Sequence, residues 1–286
     1  MAFPTPPYRP EVHGHRGCRG LFPENTLPAF LHALSLGVDV LELDVVVSAD
    51  HQVVVSHEPW LSARLGTGPH GEEIDPAHER SFNLYQLPYT TIRRCVVGDK
   101  PHPDFPSQQL IASYRPLLNE VIQVVENACQ QLGRLPISYS IEVKSEPASD
   151  GVFHPSPIPF VELVLAEIYA TAILPRTTLL SFDARILQAA RLQAPALKLC
   201  LLVESDEPFA ELLRNLGFVP DALGPAFELL SVEKLRALHT AYPTLRIVPW
   251  TVNELLDMTC TIEWGVAGIT TDYPDRLLSL LYLMTA

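Results

Sequence analysis

The chain has 286 residues, 20 Lys and Arg against 33 Asp and Glu, a formal net charge of −13, and 47% hydrophobic residues. That balance argues against nucleic acid as a partner, because a groove that follows a phosphate backbone needs clustered basic residues and the longest basic run is Arg93-Arg94. Wholesale disorder is excluded, since a chain of this length and composition buries roughly three-quarters of its surface on folding. Met1 to Pro10 carries no apolar stretch of signal-peptide length, and nothing later approaches about 18 uninterrupted apolar residues. The expectation is a soluble, cytoplasmic protein with no membrane span. Its 5 cysteines are odd in number and widely spaced, with no C-x-x-C pair, which fits reduced thiols. The 27 prolines point to structured loops.

In chain order, a short strand at Glu11 to His15 precedes a helix capped by Thr26, with Pro28 in its tolerant first turn, a stripe of Phe30, Ala33 and Leu34, and Gly37 at its end. Val38 to Val47 is a β-branched run; Asp50-His51 separates it from a second, Gln52 to Ser56, as in a hairpin. Past His57 the periodicity stops until Pro116, and structureless stretches beyond about 15 residues are usually functional insertions or disorder. Phe82, Tyr85, Leu87, Tyr89 and Phe105 favour an ordered insertion, about 59–114. A helix follows with the stripe Leu118, Val121, Ile122, Val125, Cys129, Leu132.

Strands at Ile137 to Val143, Thr177 to Phe182, Leu197 to Val203, Asp221 to Gly224, Arg246 to Val252 and Gly268 to Thr271 then alternate with helices. Those helices are Pro159 to Ala172, Ala184 to Ala194, Pro208 to Leu216, Val232 to Ala241, Glu254 to Trp264 and Pro274 to Leu283. Repeated βα order without a glycine-rich nucleotide fingerprint favours a (β/α)8 TIM barrel over an open sheet. Residues 1–286 read as one barrel domain with the insertion after the second strand unit.

Glu42 and Asp44 stand at i and i+2 in an apolar strand, so they share a face. Two acids in a covered strand repel unless a cation or protons intervene; an edge strand with one wet face is the alternative. Glu142, near the end of another strand, is a third acid, and barrel enzymes gather their residues at strand C-termini. Three carboxylates suit one divalent Mg²⁺ or Ca²⁺ rather than zinc. Lys144 shares the face of Glu142 and meets either a bound anion or Glu142 itself. His15 and His57, at strand ends, are candidates for a proton acceptor and donor, or are structural histidines. Arg16 offers a planar fork for phosphate oxygens, or an ordinary ion pair.

These residues make a pattern. His15-Arg16-Gly17, Pro23-Glu24-Asn25-Thr26, Ala29-Phe30, Gly37-Val38-Asp39, Glu42-Leu43-Asp44-Val45 and His57 resemble the opening signature of the glycerophosphodiester phosphodiesterase family. Pro116 to Val121, Ile141 to Lys144, Ser181-Phe182, Trp250 to Asn253 and Gly268 to Pro274 extend the likeness over nearly the whole chain. The resemblance implies a TIM barrel with an insertion after the second strand unit, and a metal on Glu42, Asp44 and Glu142. It also implies that His15 and His57 are the acid/base pair, that Arg16 and Lys144 contact phosphate, and that Trp250 meets the glycerol or alcohol portion. Trp250 also suits a core position at the barrel mouth. The implied reaction is metal-dependent hydrolysis of small glycerophosphodiesters, such as glycerophosphocholine or glycerophosphoethanolamine, to sn-glycerol 3-phosphate and an alcohol, with the glycerol 2-hydroxyl attacking first to give a cyclic phosphate.

Two departures stand out: Glu58 follows His57 where the family usually has Asp, and Val96 to Asp99 differ from its insertion. The competing readings are a lysophospholipase D-like enzyme acting on lipid phosphodiesters and a noncatalytic phosphodiester-binding protein. Monomer and homodimer are both compatible with the sequence.

Overall fold

The computed structural model describes residues 9–285; most of Met1 to Pro10, read above as lacking a signal peptide, lies outside them. The first strand, β1 (Glu11–Gly14), is followed by α1 (Leu27–Leu36), β2 (Val40–Val47) and β3 (Val53–Val55). A short helix α2 (Tyr89–Ile92) and the long α3 (Leu118–Gln131) come next. Six further strands are β4 (Ser138–Val143), β5 (Thr177–Ser181), β6 (Lys198–Val203), β7 (Ala222–Pro225), β8 (Arg246–Ile247) and β9 (Gly268–Thr271). Between and after them run α4 (Pro157–Ala170), α5 (Ala184–Gln193), α6 (Phe209–Leu216), α7 (Val232–Ala241), α8 (Leu255–Glu263) and α9 (Pro274–Thr285).

All strands but β3 are parallel, in the order β8-β7-β6-β5-β4-β2-β1-β9. Backbone bonds from Ala267 N to Ile247 O (2.9 Å), Thr270 N to Pro249 O (3.0 Å) and Val252 N to Thr270 O (3.0 Å) draw the two ends together. The molecule is the (β/α)8 barrel that the periodicity predicts. β3 folds back antiparallel on β2 through a turn with His51 at φ 59°. The predicted strand Arg246 to Val252 shrinks to two ladder residues, because Pro249 has no N–H to give a ladder.

The helical stripes bury as their period requires: Phe30, Ala33 and Leu34 of α1 and Leu118, Val121, Ile122, Val125 and Cys129 of α3 all pack into one core. Each such large side chain contributes roughly 1.5–3 kcal/mol on burial. Leu132 does not join its stripe: it is the C-cap of α3 and is 60% exposed. Thr26 caps α1 by accepting from Ala29 N, and Gly37 ends it at φ 100°. Helix α4 begins at Pro157, two positions before the expected start, after Ser156 at its N-cap.

Between β3 and α3 the chain holds short helical turns and single bridges rather than ladders. Leu61, Ile74, Leu84, Tyr89, Ile92 and Cys95 form a second cluster against Val46 and Val54, on the outer face of the hairpin. Inside the barrel the inward positions Ser140, Thr178, Ala222 and Thr270 are small, so the axis stays open below the C-terminal rim. Among the described residues no helix is long and apolar enough to cross a membrane.

Candidate active site

Register places the acids. Asp44 is the Cα partner of Glu142 across β2 and β4, and Glu42 lies one inward step below, opposite Ser140. All three are buried, and one carboxylate oxygen from each lies within 4.8 Å of the others. Arg16 follows β1 in a left-handed turn, with φ 47° at Arg16 and 88° at Gly17. Only glycine suits position 17, where a Cβ would stand 2.8 Å from the Ala29 carbonyl carbon. That turn aims Arg16 N–H at Glu42 Oε2 (2.8 Å).

The Arg16 side chain runs to Glu24 Oε1 (2.7 Å) and sets its Nε 3.3 Å from Asp44 Oδ2, an electrostatic contact without hydrogen-bond alignment. Asn25 Nδ2 donates to the same Asp44 oxygen at 2.8 Å. Lys144 Nζ donates to Glu142 Oε1 (2.5 Å) and stands 3.7 Å from Asp44 Oδ1. Burial, followed by repulsion from Asp44 and Glu142, pushes Glu42 well above the ordinary carboxylate range. Burial and then Asp44 raise Glu142 despite Lys144. Asp44 goes the other way: against the cost of burial, Arg16, His57 and Lys144 hold it low.

Three buried carboxylates facing two cations leave negative charge unbalanced, and it falls on Glu42 and Glu142. An all-oxygen donor set with surplus negative charge fits a hard divalent cation.

His15 Nδ1 lies 2.7 Å from Asp272 Oδ1, with Nε2 4.0 Å from Glu42. His57, half-buried past β3, has Nδ1 3.0 Å from Glu58 Oε1, so the longer acid still reaches the ring. Against burial, that bond holds Glu58 down at about 2. Trp250 donates Nε1–H to Gly224 O (2.7 Å) and meets Phe182 edge-on at 5.4 Å. His15, Arg16, Glu42, His57, Glu142, Lys144 and Trp250 line one cavity of about 610 Å³, with Asp44 just behind its wall. Trp60 and Phe153, unmarked by the sequence reading, form an aromatic flank at its mouth.

The sequence profile of the glycerophosphoryl diester phosphodiesterase family matches residues 15–276. The chain belongs to that family. It is an enzyme of the phosphoric diester hydrolase class. A glycerophosphodiester phosphodiesterase of Bacillus altitudinis is 26% identical, over 94% of this chain and 97% of the relative. A family protein of Silicibacter pomeroyi, solved by crystallography, superposes with a TM-score of 0.85 at 31% identity, covering 98% of this chain and 95% of that one. An Oleispira antarctica phosphodiesterase, solved with the product sn-glycerol-3-phosphate, shares the fold with a TM-score of 0.74 at 19% identity, covering 96% and 97%.

In this phosphodiesterase the residue that sequence reasoning left without a role is Asp272. It is fully buried and directly follows β9, the strand end where barrel enzymes place functional side chains. Besides His15 it accepts from Arg19 Nε (2.8 Å) and Asn253 Nδ2 (2.8 Å). Those partners hold it ionised against burial, which fixes the His15 proton on Nδ1 and leaves Nε2 as the acceptor. Asp272→Asn is expected to lower kcat about 10- to 100-fold with little change in KM; an equal loss in KM would indicate damage to binding instead.

Burial, reinforced by Arg19 and Arg16 against the pull of Asp272, pushes His15 down to about 4 from 6.5. The unfolded chain therefore binds the proton first, so this stabilising contribution is complete above about pH 6.5 and is lost as pH falls toward about 4. In urea unfolding of the metal-free protein, His15→Asn should shrink the stability difference between pH 7 and pH 5 by roughly 2 kcal/mol. An unchanged difference would refute the neutral buried ring.

Proposed function

We propose that this chain hydrolyses glycerophosphodiesters to sn-glycerol 3-phosphate and an alcohol, with a Mg²⁺ or Ca²⁺ held by Glu42, Asp44 and Glu142. The observation that carries the reading is the cluster of these three carboxylates, two of them lining the cavity and Asp44 just behind its wall, beside two carboxylate-backed histidines that line the same cavity. A phosphodiester anion repels nucleophiles, and a divalent cation held by Glu42, Asp44 and Glu142 would supply Lewis-acid neutralisation of that charge. Lys144 adds a cation on the same side, and Arg16 braces Asp44 while presenting its fork to the cavity.

His15, neutral and oriented by Asp272, takes the proton of the glycerol 2-hydroxyl at Nε2 as that oxygen attacks phosphorus, and His57, oriented by Glu58, gives its proton to the departing alcohol oxygen. Water then opens the cyclic phosphate to sn-glycerol 3-phosphate, with His57 taking the water's proton and His15 returning its own to the glycerol 2-oxygen. Trp250 and Phe182 wall off the glycerol carbons and exclude water. The relatives' activity and the product held by the Oleispira enzyme support the same reading. Five free thiols support a cytoplasmic setting.

Phosphorus NMR of glycerophosphocholine turnover tests the assignment. Glycerol 3-phosphate with free choline is expected. Phosphocholine with glycerol would place the scissile bond on the other side of phosphorus, and no turnover with either metal would reject the substrate class.

A further inference from the structure

The Arg and Lys side chains that line the active cavity are not equivalent. Arg16 is 2.7 Å from Glu24, Lys144 is 2.5 Å from Glu142 and Arg246 is 2.5 Å from Glu11. Arg80, in the short helical turn Glu79–Ser81 of the insertion, also lines the cavity, and its guanidinium meets no carboxylate or carbonyl among the described residues. It is held all the same, with Cζ 4.7 Å from the centroid of the Trp60 ring. Trp60 meets Phe153 edge-on at 5.6 Å and bridges to Asn83, whose Nδ2 donates to Val152 O at 2.7 Å. Stacking on an aromatic face fixes a guanidinium while leaving its N–H donors unused.

Trp60 closely follows His57 in the chain and flanks the same cavity, so this corner faces the alcohol to which His57 gives its proton. Trp250 and Phe182 stand apart from it as the glycerol wall. The other acids at the mouth do not cancel Arg80. Glu58 is turned onto His57 Nδ1 at 3.0 Å, and Glu204 follows β6, three strands round the barrel from β2. Glu146, after β4, takes only a 3.4 Å bond from Ser149 Oγ and suits an ammonium group.

We propose that Arg80 is a specificity-determining residue that favours glycerophosphodiesters whose alcohol carries an anionic group, a carboxylate or a phosphate. The inference rests on the hydrolysis proposed above and names the alcohol that leaves. Choline and ethanolamine leave Arg80 unengaged, whereas an anion gains a charge-assisted contact without displacing a protein partner. The net charge of −13 by itself disfavours an anionic alcohol, so a preference for one has to come from a local cation.

Two matched pairs of substrates test this through release of glycerol 3-phosphate. Glycerophosphoserine and glycerophosphoethanolamine differ by one carboxylate, and both carry the ammonium that Glu146 would meet. Glycerophosphoinositol 4-phosphate and glycerophosphoinositol differ by one phosphate and reach further. In at least one pair, kcat/KM at low salt is expected to be about 3- to 10-fold higher for the anionic member, and added salt should narrow the ratio. Arg80→Gln should bring that ratio to about 1; both substrates meet the same sample, so partial misfolding of the variant cancels. No preference in either pair, or a preference that Arg80→Gln retains, would overturn the proposal and leave the hydrolysis standing. Turnover of none of these substrates would reject the hydrolysis and this inference with it.

Discussion

Replacing Glu42 with Gln is expected to lower kcat/KM on glycerophosphocholine about 10³-fold or more, while making the metal-free protein more stable at neutral pH. On the proposed metal site, the loss follows from removing one of three carboxylates that would hold a cation worth several kcal/mol of transition-state stabilisation. The gain follows from charge. Glu42 is fully buried beside Asp44 and Glu142, which raise its proton affinity after burial itself. Its folded-state value lies above the unfolded one, so its stabilising contribution is present below the ordinary carboxylate range and is lost as pH rises through the raised value. Gln keeps an acceptor for Arg16 N–H and removes the charge.

Asp44→Asn should do the opposite to stability, because Asp44 is held ionised by Arg16, His57, Lys144 and Asn25. Thermal melts of both variants in EDTA check the pair of signs. A Glu42→Gln protein that keeps full turnover would remove Glu42 from the metal site.

The second large effect separates the two histidines. His15→Asn and His57→Asn should each cost about 10²- to 10⁴-fold on glycerophosphocholine, the usual contribution of a positioned acid or base. They should diverge on a glycerophosphodiester whose leaving group is 4-nitrophenol, which departs without protonation. If His57 is the acid, His57→Asn recovers most of its rate there, while His15→Asn stays slow because its nucleophile still lacks a base. The reverse pattern would exchange the roles, and equal recovery would show that neither protonates the leaving group.

Much of the site is legible in the sequence because barrel topology converts position in a strand into position in space. Glu42 and Asp44 share a face by the two-residue period, and parallel register brings Glu142 opposite Asp44 without any long-range guess. The histidines are marked by standing at strand ends. Asp272 carries the same mark, yet its role lies in a bond to a residue 257 positions away, which no local spacing encodes.

Trp60, Phe153 and Arg80 were hidden for another reason. Their places depend on how the insertion lies against the barrel, through bonds such as Asn83 Nδ2 to Val152 O at 2.7 Å, and the insertion has no periodicity to read. The short β8 shows the opposite limit: a run apolar enough for a full strand is cut by the missing N–H of Pro249.

The most direct measurement is release of glycerol 3-phosphate from glycerophosphocholine by EDTA-treated wild-type protein, before and after excess Mg²⁺ or Ca²⁺, beside folded Glu42→Gln. Three carboxylates acting as one metal site predict no release before addition, recovery with at least one of the two ions, and no recovery in the variant. Undiminished release in EDTA, or equal recovery in Glu42→Gln, would contradict that account.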